Sequence, residues 1–159
     1  MIKLPVAQVI HAAGTWSGSS ALCSLTYEQR FFRRKRLDTD DGWSFVADFE
    51  HTVSLNHGDA LELADGRLVE IVAAAENLLQ VQGDNLQRLA WHIGNRHTPC
   101  QIEATRLMIQ NDAVIRHMLE HLGATISECV EPFMPEGGAY GHGRTHSHDH
   151  GHSAHVHSH

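Results

Sequence analysis

Two helical stripes interleaved with short strands in the second half of the chain restrict its fold more than any other feature. Leu86, Leu89, Ala90 and Ile93 recur at i, i+3, i+4 and i+7, and Val114, Ile115, Met118, Leu119 and Leu122 form a second apolar stripe. Asp84 or Asn85 is placed to cap the first helix, and Asn111 or Asp112 the second. Gly94-Asn95 and Gly123 read as the stop signals. Strand candidates surround them at Asn77–Gln82, Cys100–Glu103, Arg106–Gln110 and Thr125–Val130, and the middle two flank a turn near Ala104-Thr105. The order β-α-β-β-α-β is the ferredoxin-like motif. It segregates the helices to one face of an antiparallel sheet and leaves their outer faces to solvent or a partner.

The first half carries no helical period. Short apolar runs at Leu4–Ile10, Ala21–Thr26, Phe45–Phe49, Thr52–Leu55 and Leu68–Ala74 are separated by turn clusters such as Asp40-Asp41-Gly42, Asn56-His57-Gly58-Asp59 and Asp65-Gly66. This predicts a small β-sandwich or barrel. The expected fold class is therefore α+β. An all-β domain over residues 1–74 is followed by a ferredoxin-like domain over 75–140 and a histidine-rich tail over 141–159. The basic run Arg30 to Arg36 reads as an exposed edge strand protected from aggregation by its charges, or as an electrostatic docking face for an acidic partner.

Eight of the fifteen histidines lie in the tail: His142, His146, His148, His150, His152, His155, His157 and His159. Ser, Gly, Asp and Ala separate them, and Val156 is the largest apolar side chain. Such a segment cannot bury enough apolar area to offset the entropy of ordering, so it is expected to be disordered without metal. Its irregular spacing and continuity with the preceding chain are unlike an expression tag. Neutral imidazole ligates nickel, copper and zinc, and composition does not choose among them. Ligands must shed their protons, so binding should weaken as pH falls through the ordinary imidazole range near about 6.5.

Elsewhere the composition excludes more than it assigns. A formal net charge of −7 argues against general nucleic-acid binding. Cys23, Cys100 and Cys129 form no CxxC pair and no disulfide framework, which points to a reducing cytosol. No stretch approaches the length of a membrane span, and no secretory leader is evident. Nucleophile–base motifs, a phosphate loop and HExxH are absent, so the folded part offers a hydrolase no ligand set. His11, His51 and His57 are isolated and read as surface or turn residues. His117 and His121 form an i, i+4 pair that reads as a solvated helix face. His97, just past the first helix, reads from spacing alone as a capping or structural residue. Cys100, close to it, reads as core.

One set of residues carries more. The segment Ala90 to His97 (AWHIGNRH) is followed by Pro99-Cys100-Gln101-Ile102. Pro132-Phe133 and Pro135-Glu136-Gly137-Gly138-Ala139-Tyr140-Gly141-His142 then run into the tail. With Arg34-Lys35-Arg36-Leu37 and Asp40-Asp41-Gly42, they make the chain resemble, over nearly its full length, the UreE family of urease accessory proteins, which are nickel metallochaperones. The resemblance implies a homodimer of two-domain chains, a peptide-binding-like N-terminal β domain, and a ferredoxin-like domain that supplies the dimer contact. It implies that His97 is a Ni2+ ligand, one from each subunit, supplemented by tail histidines from His142 onward. Cu2+ and Zn2+ are expected to bind in vitro as well. The implied partners are an accessory GTPase and, through it, apo-urease, in the cytoplasm, with no catalytic activity of its own. Some family members carry a His-x-His pair before the second helix, where this chain reads Gln110-Asn111-Asp112-Ala113. That departure puts an auxiliary internal site in doubt. A general divalent-metal buffer or store acting through the tail alone is the alternative function.

Overall fold

The computed structural model describes residues 3–138 and residue 144. Two compact units emerge: one holds the chain up to Glu76 together with Val130–Met134, the other holds Asn77–Cys129 and the chain from Pro135. Among the described residues no helix is long and apolar enough to cross a membrane.

The first unit is built from β1 (Val6–His11), β2 (Ala21–Leu25), β3 (Phe31–Asp38), β4 (Ser44–Ser54), β5 (Ala60–Leu63) and β6 (Leu68–Ala73). They form one mixed sheet in the order β2-β6-β5-β1-β4-β3. Strands β1 and β4 run parallel, as do β2 and β6; the other pairings are antiparallel. The sheet curls until its outer strands approach each other: the Asp40 amide donates to the Leu22 carbonyl at 2.8 Å, and the Cys23 thiol donates to the Asp38 carbonyl at 3.4 Å. Cys23, Leu25, Leu37, Phe45, Ala47, Phe49, Leu61, Leu63, Val69 and Ile71 fill the interior. The period of two is plain in β6, where alternate residues Val69, Ile71 and Ala73 are buried.

Two expectations change here. The separate runs Phe45–Phe49 and Thr52–Leu55 are parts of one strand, β4. The ladder shifts register between Phe32 and Arg34, which pair with Val53 and Asp48. The polar stretch Glu50-His51-Thr52 is exposed and accommodated by that shift, so the strand continues past it. The basic run is indeed a strand at the sheet's edge, but Arg30 does not belong to the charged surface. It ends a short 3-10 turn, Glu28–Arg30, and is 2% exposed.

The second unit has β7 (Ala75–Gln82), α1 (Leu86–Asn95), β8 (Gln101–Ile102), β9 (Leu107–Gln110), α2 (Ala113–His121) and β10 (Thr125–Pro132). The sheet order β10-β7-β9-β8 is the βαββαβ arrangement that the sequence pattern predicts. Leu79 and Val81 on β7 and Leu107 and Ile109 on β9 point to the same side. There they meet Leu89 and Ile93 of α1 and Ile115 and Leu119 of α2. Each helix starts on a side-chain cap: Asn85 accepts from the Arg88 amide, and Asp112 accepts from the Val114 and Ile115 amides.

Candidate metal centre

Helix α1 carries the site candidate at its C-terminal end. Its apolar stripe fixes the rotation of the helix on the sheet, and its last turn closes in a Schellman motif. The His97 amide donates to the Gly94 carbonyl at 2.9 Å, and the Thr98 amide donates to the Ile93 carbonyl at 3.3 Å. The residue at the turn of that motif must take a left-handed backbone, and His97 does so with φ of 57°. It is the one non-glycine with positive φ among the described residues. Gly94-Asn95, the expected stop, lies inside α1 instead, and Gly94 has no positive φ.

Helix α2 ends in the same hydrogen-bond pattern. There the Gly123 amide donates to Glu120 and the Ala124 amide to Leu119, both at 3.0 Å, with Gly123 at φ of 95°. One chain thus solves one backbone problem twice, once with the residue that suits it and once with a histidine. A side chain in that conformation costs of order 1–2 kcal/mol. Such strain is a pointer to function where the side chain is otherwise idle. The His97 imidazole is exposed and makes no hydrogen bond or ion pair among the described residues.

His92 lies five residues earlier, half-buried, with Trp91 set edge-on to it at 5.0 Å between ring centroids. Trp91 itself is 62% exposed. The histidines of the first unit are scattered. His11 shares a hydrogen bond with Glu62 at 2.7 Å, His57 Nδ1 accepts from the Ala73 amide, and His51 is exposed on β4. Among the described residues no three His, Cys, Asp or Glu side chains converge as a complete metal site. His142, His146, His148, His150, His152, His155, His157 and His159 lie outside the described residues.

The segment that leads to the tail is described as far as Gly138. The Glu136 amide donates to the Cys100 carbonyl at 2.9 Å, so the exit segment runs beside the loop that follows His97. Sequence reading missed this contact, since nothing local to Pro135-Glu136-Gly137 announces it. From Gly138 to His142 is four residues, a reach of up to about 14 Å.

Domain by domain, the comparisons agree. The description "UreE urease accessory protein, N-terminal domain" matches residues 4–74, and its C-terminal counterpart matches residues 73–159. The chain belongs to the UreE family of urease accessory proteins. A urease accessory protein UreE of Ruegeria pomeroyi is 59% identical over 91% of this chain and 97% of its own length. One from Cereibacter sphaeroides is 56% identical over 91% of this chain and 80% of its own. Another, from Mesorhizobium japonicum, is 45% identical over 89% and 74%.

Within this UreE-family chain the Cys23 and Cys100 thiols are poor candidates for metal or redox work. Burial, then the Glu136 charge, pushes the Cys100 thiol up to about 12. Burial, then Asp40 and Asp38, pushes Cys23 up to about 11. Both stay protonated near neutral pH, and the thiolate is the reactive and metal-binding form. Cys23 and Cys100 should therefore resist a disulfide thiol reagent at pH 8 in the native protein and react promptly once it is unfolded in urea. Fast native labelling of Cys100 would restore it as a ligand candidate.

Proposed function

We propose that this chain is a nickel metallochaperone that captures Ni2+ and delivers it for assembly of the urease active site. The observation that carries the reading is His97: an exposed, unbonded imidazole pinned at the end of a well-packed helix in a backbone conformation that favours glycine. One imidazole holds an ion weakly. A two-fold homodimer brings two copies of His97 together and makes a bridging site. Imidazoles of the tail, from His142 onward, complete the coordination sphere. They leave again when a partner offers ligands.

A site built this way is incomplete by design, which suits transfer more than storage. Imidazole donors accept Ni2+, and the Irving–Williams order expects Cu2+ to bind at least as tightly in vitro. Selection then rests on supply and on the receiving partners, an accessory GTPase and the apo-urease complex. The protein acts as carrier and has no catalytic step.

Calorimetry with Ni2+ tests the division of labour. The full chain should bind more ions per dimer than a chain ending at Tyr140, and one strong site should survive truncation. That surviving site should disappear in His97→Ala. Loss of all strong binding with the tail would leave only a buffer. Urease activation at limiting nickel in cells lacking this chain then separates delivery from storage.

A further inference from the structure

The second helix presents a pair of exposed histidines that the His97 site does not use. Helix α2 buries Ile115 and Leu119 against the sheet, which turns residues 117, 120 and 121 outward. His117 and His121 are both exposed, one helical turn apart, and neither imidazole has a hydrogen bond or ion pair among the described residues. At that spacing two side chains stand over the same patch, with Cβ atoms about 6 Å apart. Two imidazoles so placed can chelate one ion.

The surroundings favour a cation. His121 is the last residue of α2, where the helix dipole presents its negative end. Arg116, the residue before His117, is turned onto two carboxylates, Glu120 at 3.3 Å and Glu128 at 3.4 Å. The same contact occupies Glu120, which stands between the histidines in the order His-x-x-Glu-His. A hydrolytic zinc centre would need a third protein ligand and a free base. Among the described residues no three-ligand group exists, and the carboxylate in question is engaged. Two donors without a free base fit a chelate and not a hydrolytic centre.

It is also separate from the His97 loop. Strands β7 and β9 run antiparallel, so the helices that follow them start from opposite ends of the sheet. The C-terminal ends of α1 and α2, which carry His97 and His121, are therefore at opposite ends too.

We propose that His117 and His121 form a two-imidazole chelate on the outer face of α2 for a first-row divalent cation of the nickel, copper or zinc class. Water fills the remaining positions. The site is formed by the folded helix, so an ion bound there stabilises the fold, whereas ligands that bind equally well in the unfolded chain leave the thermal midpoint unchanged.

The test uses the full-length chain and NiCl2. The background variant is His97→Asn, which removes that imidazole and keeps a side chain tolerant of the left-handed backbone. In this background, saturating Ni2+ should raise the thermal midpoint of the unit containing α2 by roughly 5–10 °C. Adding His117→Ala and His121→Ala should abolish most of that rise. Both positions are exposed and alanine favours helix, so the metal-free midpoint should hold or increase. In the unsubstituted chain, the imidazole proton signals of His117 and His121 should broaden at lower Ni2+ than those of His51. A rise that persists in the triple variant, or no rise at all in His97→Asn, overturns the proposal.

Discussion

Arg30→Ala should lower the unfolding free energy of the first unit by about 3–5 kcal/mol, the largest loss expected from any single basic residue here. The guanidinium is 2% exposed and donates in three directions: Nε to the Leu55 carbonyl at 3.1 Å, and its terminal nitrogens to Leu25 at 3.0 Å and Phe133 at 2.6 Å. Those carbonyls belong to three separate stretches of chain: the end of β2, the residue after β4, and the segment that returns to this unit after β10. Hydrogen bonds to a charged donor contribute about 1.5–3 kcal/mol each, and a buried acceptor left unpaired costs about 1–3 kcal/mol. Phe133, fully buried and edge-on to Tyr27 at 5.4 Å, loses its fixed position with them. Lysine is no substitute, because a point charge on a flexible stem does not reproduce the planar fork. The control is Arg34→Ala on the exposed edge of β3, whose ion pair with Asp48 at 3.5 Å is solvated and contributes at most about 1 kcal/mol. Urea unfolding followed by tryptophan fluorescence compares the two. Equal midpoints would mean that Arg30 is not the tie between these segments.

Arg30 also marks where local pattern stops being informative. In the sequence it is the first of five basic residues within seven positions, and nothing distinguishes it from Arg33, Arg34 or Arg36. What buries it is a 3-10 turn that ends at its own position and three acceptors that lie 5, 25 and 103 residues away. The short strand Ala60–Leu63 was hidden for a related reason: four residues between two turn clusters look like a loop until β1 and β6 pair with both edges. The second unit was far more legible. Its helices carry their own caps and stripes, and those local signals agree with the packing that Leu89, Ile93, Ile115 and Leu119 make. The local signal that misled in this unit was Gly94. Glycine is the usual residue for the left-handed turn that ends a helix, and the chain placed that turn three residues later, on His97.

That misplacement leads to the second large effect. His97→Gly should make the protein more stable and less able to hold nickel at once. Glycine takes φ of 57° without a Cβ penalty, as Gly123 already does in the equivalent turn of α2. Relief of the left-handed strain, of order 1–2 kcal/mol, exceeds the added entropy of an unfolded glycine by about 0.5–1 kcal/mol. The two backbone hydrogen bonds of the motif are retained, so α1 should keep its length. Meanwhile the imidazole at the turn that closes α1 is gone, and strong Ni2+ binding in a chain ending at Tyr140 should fall by two orders of magnitude or about 2.7 kcal/mol or more. His97→Ala separates the contributions: it loses the metal as fully but keeps the strained backbone, so its stability should stay near that of the unsubstituted chain. Thermal unfolding without metal and calorimetry with it give both readouts on the same three proteins. A fall in stability on His97→Gly would mean that the imidazole contributes packing or bonding to the fold itself, and that its left-handed placement is structural. A gain in stability with the loss of binding would mean that the fold carries a strained histidine where glycine fits better, and that the histidine is there for the metal.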